Sequence, residues 1–235
     1  MSGAADNAGP AATAKDGKPS RNCPLCPRLK EFREGLRRRQ PTWFNAPVPC
    51  FGTPSARLLI VGLAPGLQGA NRTGRPFTGD YAGVLLYATL ARFGFARGNY
   101  AAHSADGLEL VDARITNAVR CVPPQNKPTS AEIATCRRFL NQTIAEMPQL
   151  AAILALGRIA HESVLAVLEQ PPKPAAFGHG ASYSIGNVRL FSSYHCSRLN
   201  TNTGVLTPDM FHSVFSNIRS YLDNQWDVRT QDATK

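Results

Sequence analysis

The sequence predicts an α/β fold of three layers, with a central four-stranded parallel sheet between helices. Three observations predict it. Short apolar runs without polar alternation recur along the chain, as strands buried on both faces read. Segments with helical spacing stand between them, the order that covers a parallel sheet on both sides. Polar segments follow the strands, and in such sheets ligands bind at the carboxyl ends of the strands.

The elements follow in order. Arg57-Leu-Leu-Ile-Val-Gly-Leu63 reads as the first buried strand. Ala82 to Phe93 has apolar residues at helical spacing, Val84, Leu85, Tyr87, Ala88, Leu90 and Ala91. Ile115-Thr-Asn-Ala-Val119 is the second strand. Thr129-Ser-Ala-Glu132 is a capping box that opens a helix to about Glu146, stopped by Pro148. Ala151 to Leu156 is the third strand, Gly157 to Leu168 a helix, and Val188 to Ser193 the fourth strand. Thr207-Pro208 supplies an N-cap and a proline at the first helical position, and the last helix runs to about Leu222.

Met1 to Ser20 is rich in Ala, Gly, Asn and Ser and reads as a disordered tail, as does Asp223 to Lys235. Residues 21–222 are left as one domain. No apolar stretch approaches the roughly 20 residues of a membrane helix, and the N-terminus lacks the apolar core of a signal peptide. The expectation is a cytoplasmic protein, nucleoid-associated in a prokaryote. With no long coiled-coil pattern, a monomer is expected. The formal net charge of +10 points to an acidic partner, of which nucleic acid is the commonest; the bland alternative is solubility.

Six cysteines need an explanation where disulfides are rare. Cys23-Pro-Leu-Cys26 is a C-x-x-C pair ahead of the core, while Cys121 follows a strand and Cys136 lies inside a helix. Four thiolates from two regions can hold a tetrahedral zinc or an iron–sulfur cluster. With only one close pair, the pattern departs from a compact zinc ribbon. Unrelated buried thiols are the alternative.

Gly62-Leu-Ala-Pro-Gly66 and Gly69 to Asp80 follow a strand and precede a helix, as phosphate-binding loops do. The segment matches neither G-x-G-x-x-G nor the P-loop with its lysine, which disfavours a nucleoside-triphosphate site. Its backbone amides can still cradle a DNA phosphate or a base edge, with Arg72 and Arg75 adding charge. Phe77 is either a stacking platform for a base or ordinary packing under a loop. Asp80 is the segment's one acid and a natural N-cap for the helix that begins near Tyr81. The polar run Ser193-Tyr-His-Cys-Ser-Arg-Leu-Asn-Thr-Asn-Thr-Gly204 cannot build a core, and reads as a loop placed on something.

Taken together, these segments resemble the uracil-DNA glycosylases of the iron–sulfur branch, most of all family five, the B-type enzymes. The resemblance spans roughly Asn22 to Leu222. It is carried by the linked motifs Cys23-x-x-Cys26, Gly62-Leu-Ala-Pro-Gly66, Asn71-Arg-Thr-Gly-Arg-Pro-Phe-Thr-Gly-Asp80, Arg120-Cys-Val-Pro-Pro-Gln-Asn-Lys-Pro-Thr129, Cys136, Ala155-Leu-Gly157 and His195-x-Ser-Arg-x-Asn-Thr-x-Thr-Gly204. It implies a central four-stranded parallel sheet and a structural [4Fe–4S] cluster on Cys23, Cys26, Cys121 and Cys136. Two departures are informative. Leu63 stands where the sister family four has Glu, which is itself typical of family five and moves the catalytic carboxylate to Asp80. Cys196 stands where many relatives have proline, which leaves that loop's backbone less fixed.

What the resemblance implies is a DNA-repair enzyme that flips a deaminated base from its strand and hydrolyses the N-glycosidic bond, leaving an abasic site. The substrates expected are uracil and, beyond it, hypoxanthine, in double-stranded DNA and also single strands. His195 would donate a hydrogen bond to the departing base and Asp80 would stabilise the cationic sugar or orient water. Ala64 to Gly66 would shape the pocket, Phe77 stack on the base and Asn117 read its edge. Ser197, Arg198, Asn200 and Thr201 would grip DNA, and Leu199 would wedge into the gap. Arg37-Arg-Arg39 is either a phosphate contact or a solvated helix face. The rival reading is a non-catalytic iron–sulfur module that binds damaged or single-stranded DNA.

Overall fold

The computed structural model describes residues 17–169 and 175–232, with side chains described up to residue 225. The first helix, α1 (Pro27–Arg39), opens on a proline whose missing N–H falls where a helix has no use for one. The chain then enters β1 (Leu58–Gly62), buried at all five residues. A four-residue helix, α2 (Ala70–Thr73), and the longer α3 (Tyr81–Arg92) follow. A small antiparallel pair, β2 (Ala96–Arg97) and β3 (Glu109–Leu110), leads into β4 (Ala113–Asn117). α4 (Ser130–Ala145) starts at the expected capping box: the Glu132 N–H donates to Thr129 Oγ1 and the Thr129 N–H to Glu132 Oε2. β5 (Ala152–Leu156), α5 (Arg158–Val167), β6 (Ser182–Ile185), β7 (Val188–Ser193), α6 (Arg198–Asn202) and α7 (Pro208–Asp232) complete the order.

The main sheet runs β4-β1-β5-β7-β6. The first four strands are mutually parallel, as expected. The sheet has five strands rather than four, because β6 adds an antiparallel edge to β7. Ser182-Tyr-Ser-Ile185 is short, polar and half-exposed, so no apolar run marks it as a strand. The second strand begins two residues earlier than expected, at Ala113. Its ladder nonetheless continues to Val119, whose N–H donates to Leu63 O at 2.9 Å.

Alternation along β1 builds both faces of the core. Leu58 and Ile60 pack with Leu86 and Leu90 of α3 and Phe211 and Phe215 of α7. Leu59 and Val61 pack with Leu140 of α4 and Val164 of α5. Helices therefore cover opposite faces, and the chain leaves the adjacent strands β1 and β5 toward opposite sides. A crevice is left at their carboxyl ends.

The C-terminal segment differs from expectation. α7 continues to Asp232, so the helix occupies most of the segment read as a C-terminal tail from Asp223. Of the N-terminal tail, residues 1–16 lie outside the described residues, and Pro19 sits in an isolated bridge. No described helix is long and apolar enough to cross a membrane.

Candidate active site

The crevice holds a pocket of about 770 Å³. Ala64, Gly66, Phe77, Asp80, Asn117 and His195 all line it, so residues separated by more than a hundred positions converge there. The glycines explain how they fit. A Cβ on Gly62 would lie 2.5 Å from Asn117 Oδ1 and 2.7 Å from Phe77 Cζ. A Cβ on Gly66 would lie 3.2 Å from Asp80 Oδ2, and one on Gly69 would collide with the same oxygen. The Gly-rich segment thus clears room for side chains as well as for a ligand.

Asp80 caps α3, its Oδ1 accepting the Gly83 N–H at 3.2 Å, while Oδ2 faces the glycines. Burial raises its carboxyl above the usual range, and the N–H groups of Gly83 and Ala82 act in the other direction. Phe77 holds a left-handed backbone (φ 51°), and the Tyr100 hydroxyl donates to its carbonyl at 3.2 Å. Its ring stacks on His195, centroids 5.8 Å apart and planes 27° from parallel. His195 leaves the end of β7, and burial pushes its imidazole from 6.5 down to about 4. It is therefore neutral near pH 7, with one ring N–H to donate.

The loop after His195 is more ordered than its polar sequence suggests. Ser197 caps α6, accepting the Asn200 N–H at 3.4 Å. Asn200 Nδ2 donates to His195 O at 2.8 Å, and Thr201 Oγ1 donates to Ser197 O at 3.1 Å. These three side chains, expected to grip DNA, brace the loop that carries His195. Arg198 and Leu199 stay outward: the Arg198 guanidinium lies 5.2 Å from the Tyr81 ring centre, and Leu199 is 72% exposed beside the pocket.

The two arginines of the Gly-rich segment part company. Arg72 is exposed, its Nε donating to Gln68 O. Arg75 is a correction: it is buried and forms two 2.7 Å bonds to Asp106, across three aromatic rings, so its charge is neutralised inside the protein. In α1, Arg37 donates to the carbonyls of Arg21 and Asn45 and to Asn22 Oδ1, which leaves Arg38 and Arg39 as the exposed members of the run. Sequence reasoning missed Gln68, Tyr81, Asn126 and Arg158, which also line the pocket. Arg158 follows the carboxyl end of β5, so the strand-end rule that singled out Asn117 and His195 would have found it.

Cys23, Cys26, Cys121 and Cys136 meet on the other side of the β4 exit, packed with Leu29, Val119 and Phe139 and lining one small cavity. None of the four is in a disulfide. Among the described residues no three His, Cys, Asp or Glu are close enough to share one metal ion. Arg33, buried there, donates to Cys121 Sγ at 3.2 Å and to Cys23 O at 2.9 Å, and its Nε has no partner. The Arg120 N–H donates to Cys136 Sγ at 3.3 Å. Burial pushes the thiols of Cys26 and Cys136 up, to about 11 and about 12. Cys50 and Cys196 lie apart, the first accepting from Arg120 Nη1 and donating to Thr116 Oγ1, the second in the main core.

Residues 49–219 match the family model described as the uracil DNA glycosylase superfamily. The chain belongs to the uracil DNA glycosylase superfamily. It is 45% identical over 199 residues to a type-5 uracil-DNA glycosylase of Thermus thermophilus, covering 82% of this chain and 90% of that one. A type-5 enzyme of Mycobacterium bovis is 46% identical over 204 residues, 82% of this chain and 75% of the relative. A type-4 enzyme of Pyrobaculum aerophilum is more distant, at 34% over 149 residues, 63% of this chain and 62% of the relative. Every pocket residue named above falls within the superfamily match, while Cys23 and Cys26 precede it.

Proposed function

We propose that this superfamily member is a monofunctional uracil-DNA glycosylase, which hydrolyses the N-glycosidic bond of a flipped uracil and leaves an abasic site. The observation that carries the reading is the convergence of a buried carboxylate, Asp80, and a neutral imidazole, His195, on one pocket at the strand ends. As the bond breaks, the sugar gains positive and the base negative character, and preorganised groups meet both. His195 donates its N–H to an oxygen of the leaving base. Asp80 faces the sugar, stabilising its charge and orienting the attacking water. Phe77 stacks on the base, with His195 fixing the ring's face. Asn117 offers both donor and acceptor to the base edge, so it does not demand uracil. The room in the pocket supports hypoxanthine as a second substrate. Leu199, exposed at the rim, fills the gap left by the flipped nucleotide. Arg72 and Arg198 contact the strand, in double- or single-stranded DNA, and the enzyme acts as a cytoplasmic monomer.

Cys23, Cys26, Cys121 and Cys136 hold a [4Fe–4S] cluster. Two features support that donor set. The four thiols line one shared cavity, and four cysteine thiolates are the usual ligand set of such a cluster. Arg33, a buried cation with an unpartnered Nε and no carboxylate ion pair among the described residues, suits a thiolate-ligated anion. When bound, the cluster supplies cross-linking between α1 and α4 and no chemistry at the base.

The test uses labelled duplexes carrying one uracil, hypoxanthine or thymine, with alkali to reveal abasic sites. Cleavage at uracil and hypoxanthine but not at thymine is expected. DNA binding without release of free base would replace this reading with the damage-binding module.

A further inference from the structure

A second cleft lies on the other side of α2 from the base pocket. It is open, about 530 Å³, and is framed by Arg21, Trp43, Phe44, Arg72 and His103. Thr42 and Ser104 add hydroxyl-bearing side chains, Thr73 lines it with its own hydroxyl turned to the carbonyls of Gly69 and Thr78, and no carboxylate is among its lining residues. Aromatic faces with arginines and hydroxyls, and no acid, suit a nucleotide: a ring for the base, cations and hydroxyls for the phosphate.

The cleft is firmly built. The Phe44 N–H donates to Arg72 O and the Asn45 N–H to Asn71 O, both at 3.1 Å, and Asn71 Nδ2 donates to Asn45 Oδ1 at 2.9 Å. These bonds fasten the aromatic segment to α2. Gly74, at φ 78°, lets the Phe44 ring approach to where a Cβ would be 2.7 Å from Cδ2. On the opposite wall Ala102 holds φ 61°, a strained backbone for alanine of the kind that accompanies functional loops. α2 is only four residues long, with Ala70 on the base pocket and Arg72 and Thr73 on the cleft.

We infer that this cleft binds an unpaired nucleotide of the same DNA strand, beside the flipped one, stacking its base on Trp43 and holding its phosphate with Arg21 and Arg72. The inference rests on the glycosylase reading above, and it makes recognition asymmetric: the strand is followed past α2 on one side only.

The chain has two tryptophans, so Trp226→Phe leaves Trp43 as the sole tryptophan, read by excitation that spares the tyrosines. This protein would be titrated with single strands bearing a terminal uracil, extended one nucleotide at a time on the 5′ or the 3′ side. Trp43 emission is expected to quench once the extension reaches the cleft, for one polarity only. Trp43→Ala should weaken binding of the extended strand about tenfold, the worth of one stacked base. It should leave binding and uracil release from the short strand unchanged. Trp43→Phe, which keeps a ring, should restore most of the advantage. Uracil release with Trp43 silent for every strand, or an equal loss for short and extended strands in Trp43→Ala, would overturn the cleft and leave the glycosylase intact. Quenching for one polarity only, with no uracil release from any strand, would keep the cleft and sink the glycosylase.

Discussion

The base pocket and the cysteine site lie on either side of the β4 exit, and they are held in shape differently. Around Asp80 and His195 the protein supplies everything. Three glycines clear the space, an N-cap fixes the carboxylate, and Asn200 fastens the backbone of the histidine. Around Cys23, Cys26, Cys121 and Cys136 the protein brings four thiols to one cavity, raises Cys26 and Cys136 by burial, and leaves Arg33 Nε unpartnered. The pocket is finished by folding, whereas on the proposed reading the cysteine site would be finished by its cluster. A reactive centre benefits from geometry fixed before substrate arrives, while a structural centre can take its order from the ligand.

The sharpest test of the first half is His195→Ala, expected to slow single-turnover uracil release by about 10²–10³-fold, the usual cost of losing a preorganised donor. Tm should fall only modestly, by the loss of a ring stacked on Phe77, worth about 1 kcal/mol. Asp80→Ala should match it in rate and likewise lose about 1 kcal/mol of stability, because the N-cap goes with the carboxylate. Rates near that of the unsubstituted protein in both variants would end the assignment of this pair.

Cys136→Ser tests the second half. Iron and sulfide content should fall, and scanning calorimetry should show Tm lower by about 10 °C, as a loss of a few kcal/mol produces in a domain of this size. An unchanged Tm would erase the distinction between the two sites.

Smaller in effect, Gly69→Ala adds one methyl against Asp80 Oδ2. Overpacking of this kind costs about 1–3 kcal/mol, and a displaced carboxylate slows base release by up to about 10²-fold. Thermal unfolding and single-turnover rates on the same preparation separate the two effects.

A further effect lies in the pH dependence of Tm. His195 stays neutral in the folded protein down to about pH 4, whereas the unfolded imidazole takes its proton near 6.5. Its contribution to stability is complete above 6.5 and is lost as pH falls toward 4. Asp80 has the opposite sign: its raised carboxyl opposes folding above its folded value and is relieved at lower pH. His195→Gln should therefore flatten the slope of Tm between pH 4 and 6.5, and an unaltered slope would mean the imidazole is not held neutral.

Local rules made much of this legible in the sequence. The parallel strands, the Thr129–Glu132 capping box and the Asp80 cap depend on neighbours within a few residues, and strand-end logic brought Asn117 and His195 together. Arg75 was not legible, because its partner Asp106 lies 31 residues away and nothing local distinguishes it from the exposed Arg72. Nor was the bracing role of Ser197, Asn200 and Thr201, whose side chains suit DNA and a short helix equally well. β6 lacked an apolar run, since an edge strand beside β7 gains its order from pairing rather than burial.

Gly62 has a consequence for how the protein can change. A single missing side chain there accommodates both Phe77 and Asn117, so three positions behave as one heritable unit. Enlarging residue 62 demands simultaneous losses elsewhere, and a lineage selected one codon at a time meets a barrier in that direction. Trimming Phe77 or Asn117 meets no such barrier. A library randomised at 62, 77 and 117 and selected for a new base should therefore return glycine at 62 with smaller partners, and should reach bulkier residues at 62 only in clones that change at least two positions together.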